Sequence, residues 1–147
     1  MISKKEQGKL TQDHIVTRYI FEKSYFDKES KEIYFTAFSY GGDDHRISVY
    51  RITDLLKHDD QSIWGIGREW NPKRTLHARG DLKVKSIENI KYFTQSLFVE
   101  GNNIGPYRHC CINPILLPHN NEPWRLSLVE RTLEEIAKIA ELREAHD

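Results

Sequence analysis

Leu76-His77-Ala78-Arg79-Gly80-Asp81-Leu82-Lys83-Val84 alternates apolar or small residues with polar ones along its whole length. Successive side chains of an extended chain point to opposite faces, so this period of two predicts a strand with Leu76, Ala78, Gly80, Leu82 and Val84 inward. His77, Arg79, Asp81 and Lys83 would share the other face. A second extended stretch, Gly105-Pro106-Tyr107-Arg108-His109-Cys110-Cys111-Ile112-Asn113-Pro114, carries the other close grouping of Arg, His and Cys. His109 to Leu117 reads as extended, and Pro114 and Pro118 confine it to an edge or an end of a sheet, because proline donates no ladder hydrogen bond.

Outward from these two segments the chain reads as framework. Residues 1–12 are polar and predict a flexible N-terminal segment ahead of a single domain at 13–147. The β-branched and aromatic group Ile15, Val16, Tyr19, Ile20 and Phe21 suits a strand, and Ile33 to Tyr40 reads as the clearest strand of the chain. Gly41-Gly42-Asp43-Asp44 offers a hairpin turn into a further strand at Arg46 to Ile52. Thr53 with Asp54 suits a helix start, and Gly65, Gly67 and Asn71-Pro72 suit its end. Ser86 to Phe93 suits either a short helical turn or an extended connection, with a strand expected at Ser96 to Glu100 and a turn at Asn102 to Pro106. After Asn121, Leu126, Val129, Leu133, Ile136, Ala137 and Ala140 fall on one helical face, with Pro123 in the first turn. These elements predict an α+β fold: a mostly antiparallel sheet packed against a C-terminal amphipathic helix and shorter helical segments.

Composition narrows the function classes. The 147 residues hold 30% charged and 38% hydrophobic side chains, which places the chain among folded domains and away from disorder. Twenty-two basic residues balance twenty-two acidic ones, which removes the simplest electrostatic reason for a nucleic-acid or membrane partner. A local excess survives between Lys73 and Lys91, where six basic residues meet Asp81 and Glu88. No apolar run approaches the roughly 20 residues of a membrane span. The only cysteines, Cys110 and Cys111, are adjacent, which gives no sign of an oxidising compartment, so a soluble cytoplasmic protein is expected.

His77, Arg79, Asp81, Arg108 and His109 form the candidate ligand- or partner-binding set. Guanidinium forks hold phosphate or carboxylate bidentately, imidazole moves protons near neutral pH, and a carboxylate can orient it. The competing expectation pairs Arg79 with Asp81 or with an acid of a neighbouring strand and leaves the rest in solvent. A metal site is not expected, because adjacent cysteines cannot readily ligate one ion. The two-histidine phosphoesterase pattern fails as well, since Arg79 and Cys111 stand where it needs hydroxyls. The expected function is therefore a small binding or adaptor protein that uses a polar strand face for a protein partner or an anionic ligand. The alternative is an enzyme on a phosphate-containing substrate, a nuclease or an NAD-consuming transferase. No cofactor is named by the sequence.

Val49-Tyr50-Arg51 followed by Gly67-Arg68-Glu69-Trp70-Asn71-Pro72 resembles the start of the bacterial RES-domain toxins, a family similar to ADP-ribosyltransferases that consumes NAD. The resemblance covers a small part of the chain and implies Arg51 as an NAD contact and Glu88 as a candidate catalytic acid. Glu69 interrupts the family's Arg-Trp pair, no glycine follows Pro72, and His77 stands where a tyrosine is usual.

Overall fold

The computed structural model describes residues 10–39, 47–56, 60–101, 108–114 and 123–145, with side chains of the last segment described from Ser127. Its elements in chain order are β1 (Ile15–Ile20), β2 (Phe26–Asp27), β3 (Glu32–Ile33), a 3-10 turn at Phe35–Phe38, and β4 (Ile47–Arg51). There follow α1 (Asp60–Trp70), β5 (Ala78–Lys83), α2 (Val84–Glu88), β6 (Lys91–Tyr92), β7 (Gln95–Ser96), β8 (Phe98–Gly101), β9 (His109–Asn113), α3 (Pro123–Ile139) and β10 (Glu141–Glu144).

Six strands form one sheet in the order β10-β5-β1-β4-β9-β8, and every pairing is antiparallel. The α+β architecture with a mainly antiparallel sheet and a C-terminal helix is thus present. One face carries Val16, Ile20, Val49, Ala78, Leu82, Cys110 and Ile112. They pack with Ala37 and Phe38 of the 3-10 turn and with Val129, Leu133, Ile136 and Ala137 of α3 in the main core. Gly80 lies on this face, where a Cβ would sit 3.0 Å from Ile33 and 3.5 Å from Phe38, so the missing side chain lets these elements approach the sheet. The opposite face is covered by α1. Trp64 packs with Tyr19, Tyr50 and Leu76 in a second cluster, and Gly67 lies so close that a Cβ would stand 2.6 Å from the Tyr19 ring.

Several sequence expectations meet a different outcome. Of the described part of Ile33 to Tyr40 only Ile33 belongs to a strand, and Phe35–Phe38 turns into the 3-10 segment. Phe35 and Phe38 pack against the main core without joining the sheet, and Tyr34 is exposed. Arg18 fixes this turn: its Nε donates to Ala37 O (3.0 Å), Nη2 to Ser39 O (2.9 Å) and Nη1 to Ser48 O (2.9 Å). Burial lowers the pKa of this guanidinium from its ordinary value. β4 accordingly pairs with β1 and β9. Thr53 caps no helix. Its hydroxyl accepts from Ile15 N–H (2.8 Å), and α1 starts at Asp60 and runs straight through Gly65 and Gly67.

Leu76 also departs from the alternation, because it packs beneath α1 with Tyr19, on the face opposite Ala78. β5 itself covers Ala78–Lys83 as an extended strand, and Val84 already begins α2. β9 is an interior strand that ends at Asn113, just before Pro114. Leu10, placed in the flexible segment by the sequence, is buried, and its N–H donates to Val99 O (2.7 Å). The turns expected at Gly41 to Asp44 and Asn102 to Pro106, and the first nine residues, lie outside the described residues. No described helix is long and apolar enough to cross a membrane.

Candidate functional site

The face under α1 carries Arg79 and Asp81 of β5, Thr17 and Tyr19 of β1, Tyr50 of β4 and His109 of β9. The registers Arg79↔Tyr19, Asp81↔Thr17, Thr17↔Tyr50 and Tyr50↔His109 put them side by side. Three strand spacings separate β5 from β9, roughly 14 Å at the usual interstrand distance, so Arg79 and His109 share a face without touching. Tyr19 and Tyr50 occupy the gap with ring centroids 5.4 Å apart.

Arg79 is only 3% exposed. Its Nε donates to Asp81 Oδ1 (3.0 Å) and its Nη2 to Asp81 Oδ2 (3.4 Å), a bidentate fork between next-but-one residues of a single strand. Its Nη1 donates to Asp60 Oδ1 (3.1 Å) at the start of α1, and its guanidinium lies over the Trp64 ring at 4.6 Å. Trp64 Nε1 closes the circuit by donating to Asp60 Oδ2 (3.0 Å). Arg79 thus fastens α1 to the sheet. Tyr19 adds a second fastening, its hydroxyl donating to Ile63 O (2.5 Å), and burial pushes its phenol pKa above the ordinary value.

Arg108 is held by the Asp54 carboxylate through Nη1 and Nη2, both at 2.7 Å, and also donates to Arg51 O (3.2 Å). The Arg108 hydrogen bond pulls the Asp54 carboxyl down to about 2. His109 is buried between aromatic rings, stacked on Trp70 at 5.9 Å and tilted against Tyr50 at 5.4 Å. The Tyr50 hydroxyl is buried without a hydrogen-bond partner among the described residues. Cys110 and Cys111 are both buried free thiols, and burial pushes Cys110 up to about 12, so it acts as a small apolar core residue. Among the described residues no group of His, Cys, Asp or Glu could hold a metal ion.

His77 lies apart from this network. Its backbone continues the sheet, with N–H donating to Ile20 O (3.0 Å) and carbonyl accepting from Ala145 N–H (3.0 Å). With Lys23, Phe26, Lys28, Thr75, Leu76, Glu144 and Ala145 it lines a cavity of ≈ 570 Å³. Lys23 and Lys28 make no ion pair or hydrogen bond among the described residues, whereas Glu144 is taken by Lys31 Nζ at 2.7 Å. The lysines of this cavity escaped the sequence reading. They sit in a charged stretch with no periodicity, and the pairing of β1 with β5, which ends with Ile20 opposite Ala78, brings that stretch beside His77.

The residues implied by the RES-toxin resemblance lie elsewhere. Arg51 ends β4 with its N–H on Arg108 O (3.0 Å), and Glu88 ends α2 and accepts from Gln12 Nε2 (3.2 Å). Neither lines the His77 cavity. Compared with known proteins, the chain matches no family model, no curated protein and no solved structure.

Proposed function

We propose that this chain is a binding protein for a small anionic ligand, taken in the cavity beside His77. Lys23 and Lys28 supply positive charge, Thr75 and His77 supply hydrogen-bonding groups, and Phe26 and Leu76 supply an apolar wall. The observation that carries the reading is the contrast in pairing. The Arg79 and Arg108 side chains are neutralised by Asp81, Asp60 and Asp54, while the two cavity lysines pair with no carboxylate among the described residues. An anion entering there displaces no existing ion pair. The cavity volume also falls in the range of about 300–1,000 Å³ in which small-molecule sites are found.

Thermal melts of the full chain in pyrophosphate and in adenosine monophosphate, against sodium chloride at matched ionic strength, test this. A ligand at a hundredfold its Kd stabilises by about 2.7 kcal/mol. For a domain of this size that raises Tm by roughly 5–10 °C. Lys23→Glu with Lys28→Glu should abolish the rise while leaving the melt in chloride unchanged. An unchanged Tm in both probes, or a rise that persists in the double variant, would refute the proposal.

A further inference from the structure

β10 closes one side of the sheet, and its phase determines which backbone groups face outward. Ala145 N–H donates to His77 O, and the register continues through Arg143↔Arg79 and Glu141↔Asp81. Antiparallel pairs alternate between those that exchange hydrogen bonds and those that do not. Glu141 and Arg143 therefore turn their N–H and C=O groups toward β5, and Leu142 turns its own away from the sheet. No backbone hydrogen bond of Leu142 leads outward among the described residues. A cavity of ≈ 560 Å³ lies between this strand, which contributes Leu142, Arg143 and Glu144, and the Asp60, Trp64 and Arg79 cluster under α1, with Leu56 (38% exposed) on its wall.

We propose that this edge pairs with the same edge of a second copy of the chain, antiparallel about a two-fold axis at Leu142. The self-complementarity of Glu141-Leu142-Arg143-Glu144 carries the choice of partner and of register. Leu142, with its outward N–H and C=O, must fall in a hydrogen-bonded pair. Centring on Leu142 opposite Leu142 sets Glu141 opposite Arg143 of the second copy, and Arg143 opposite its Glu141. A slip that sets Leu142 opposite Glu144 would bring Arg143 against Arg143, and a further slip would bring Glu144 against Glu144. Only the first register joins opposite charges. In the single chain Arg143 Nη2 meets its own Glu141 Oε1 at 2.9 Å and its Nε lies 4.0 Å from Asp81 Oδ2, with the Arg143 and Glu141 side chains more than half exposed, so Arg143 and Glu141 can exchange partners across the edge without desolvating a new charge. Edge charges ordinarily repel a foreign strand. Here they are satisfied by an identical one.

This inference concerns a different surface from the ligand cavity and does not depend on it. Sedimentation equilibrium of the full chain over a dilution series should give a mass twice the 17.4 kDa of the chain. Glu141→Arg alone and Arg143→Glu alone each convert both cross-strand attractions to repulsions and should weaken the dimer at least about tenfold. An equimolar mixture of the two variants should restore association, because the arginines of one then face the glutamates of the other. Leu142→Pro removes the outward N–H without touching the β5 ladder and should also give monomer, with circular dichroism reporting on its fold. A wild-type chain that stays monomeric, a dimer that survives all three substitutions, or a mixture that fails to reassociate would overturn the proposal. The mixture rescue cannot come from variants that misfold.

Discussion

Replacing Arg79 by alanine separates a residue that holds the fold together from one that waits for a ligand. The Arg79 guanidinium is inaccessible, and the Asp81 side chain it holds is 10% exposed. Removing the cation leaves that carboxylate buried with only the half-exposed Arg143, its Nε at 4.0 Å, in reach, and breaking a comparable buried pair costs about 3–5 kcal/mol. Loss of the stack on Trp64 acts in the same direction. Asp60, at 69% side-chain exposure, returns to water at little cost. A loss of about 4 kcal/mol in a domain of this length corresponds to roughly 8–16 °C in Tm. Urea denaturation followed by circular dichroism measures it directly. Asp60→Asn should cost no more than about 1 kcal/mol. Arg79→Ala with Asp81→Ala should recover part of the loss, because the stranded carboxylate has gone with its partner. Should Arg79→Ala unfold within about 1 kcal/mol of the wild type, the guanidinium is not what joins α1 to the sheet, and the covered face would have to be reconsidered as accessible.

Other outcomes follow from single contacts. Gly67→Ala forces a methyl into the Tyr19 ring and Leu76, at 2.6–2.9 Å, and should destabilise by about 1–3 kcal/mol. Gly65→Ala, in the same helix with nothing within 4 Å, should stabilise by about 0.5–1 kcal/mol, and paired thermal melts compare the two. Tyr50→Phe removes a buried hydroxyl that has no partner among the described residues and keeps its ring contacts, so chemical denaturation should show stability unchanged or raised by about 1 kcal/mol. The Asp54 carboxyl is held by the Arg108 guanidinium at about 2, below its ordinary value of 3.8. Its contribution is therefore complete above about pH 4 and is lost as pH falls toward 2. Since its side chain is 51% exposed, solvent screening limits that contribution to about 1 kcal/mol or less. Asp54→Asn should flatten the stability profile in that window.

Much of the scaffold was legible because burial leaves a periodic mark. The alternation through Ala78 to Lys83 gave a strand, and Val129, Leu133, Ile136 and Ala137 gave the buried stripe of α3. Ile33 to Tyr40 misled because aromatic and β-branched residues mark burial in a turn as readily as in a strand, and the donor that fixes the turn, Arg18, comes from another element. Gly65 and Gly67 read as terminators, yet Gly67 is there so that α1 can touch Tyr19. At the candidate site, the polar face of β5 looks the same in sequence whether it is wet or covered. The local pairing of Arg79 with Asp81 was foreseeable from their spacing. The cover by α1, and the convergence of Lys23 and Lys28 on His77, depend on contacts between distant parts of the chain that carry no local signal.

The strand order has a consequence for how the molecule comes together. β1 joins β5 through pairs such as Ile15↔Lys83, and β5 joins β10 through pairs such as Asp81↔Glu141, so two ladders each close loops of about sixty to seventy residues. Topologies dominated by such distant partners acquire their native form in milliseconds to seconds, not microseconds. The strand that completes one flank is drawn from residues 141–144, so a chain still emerging from the ribosome holds β5 with one side bare until nearly all of this sequence has been made.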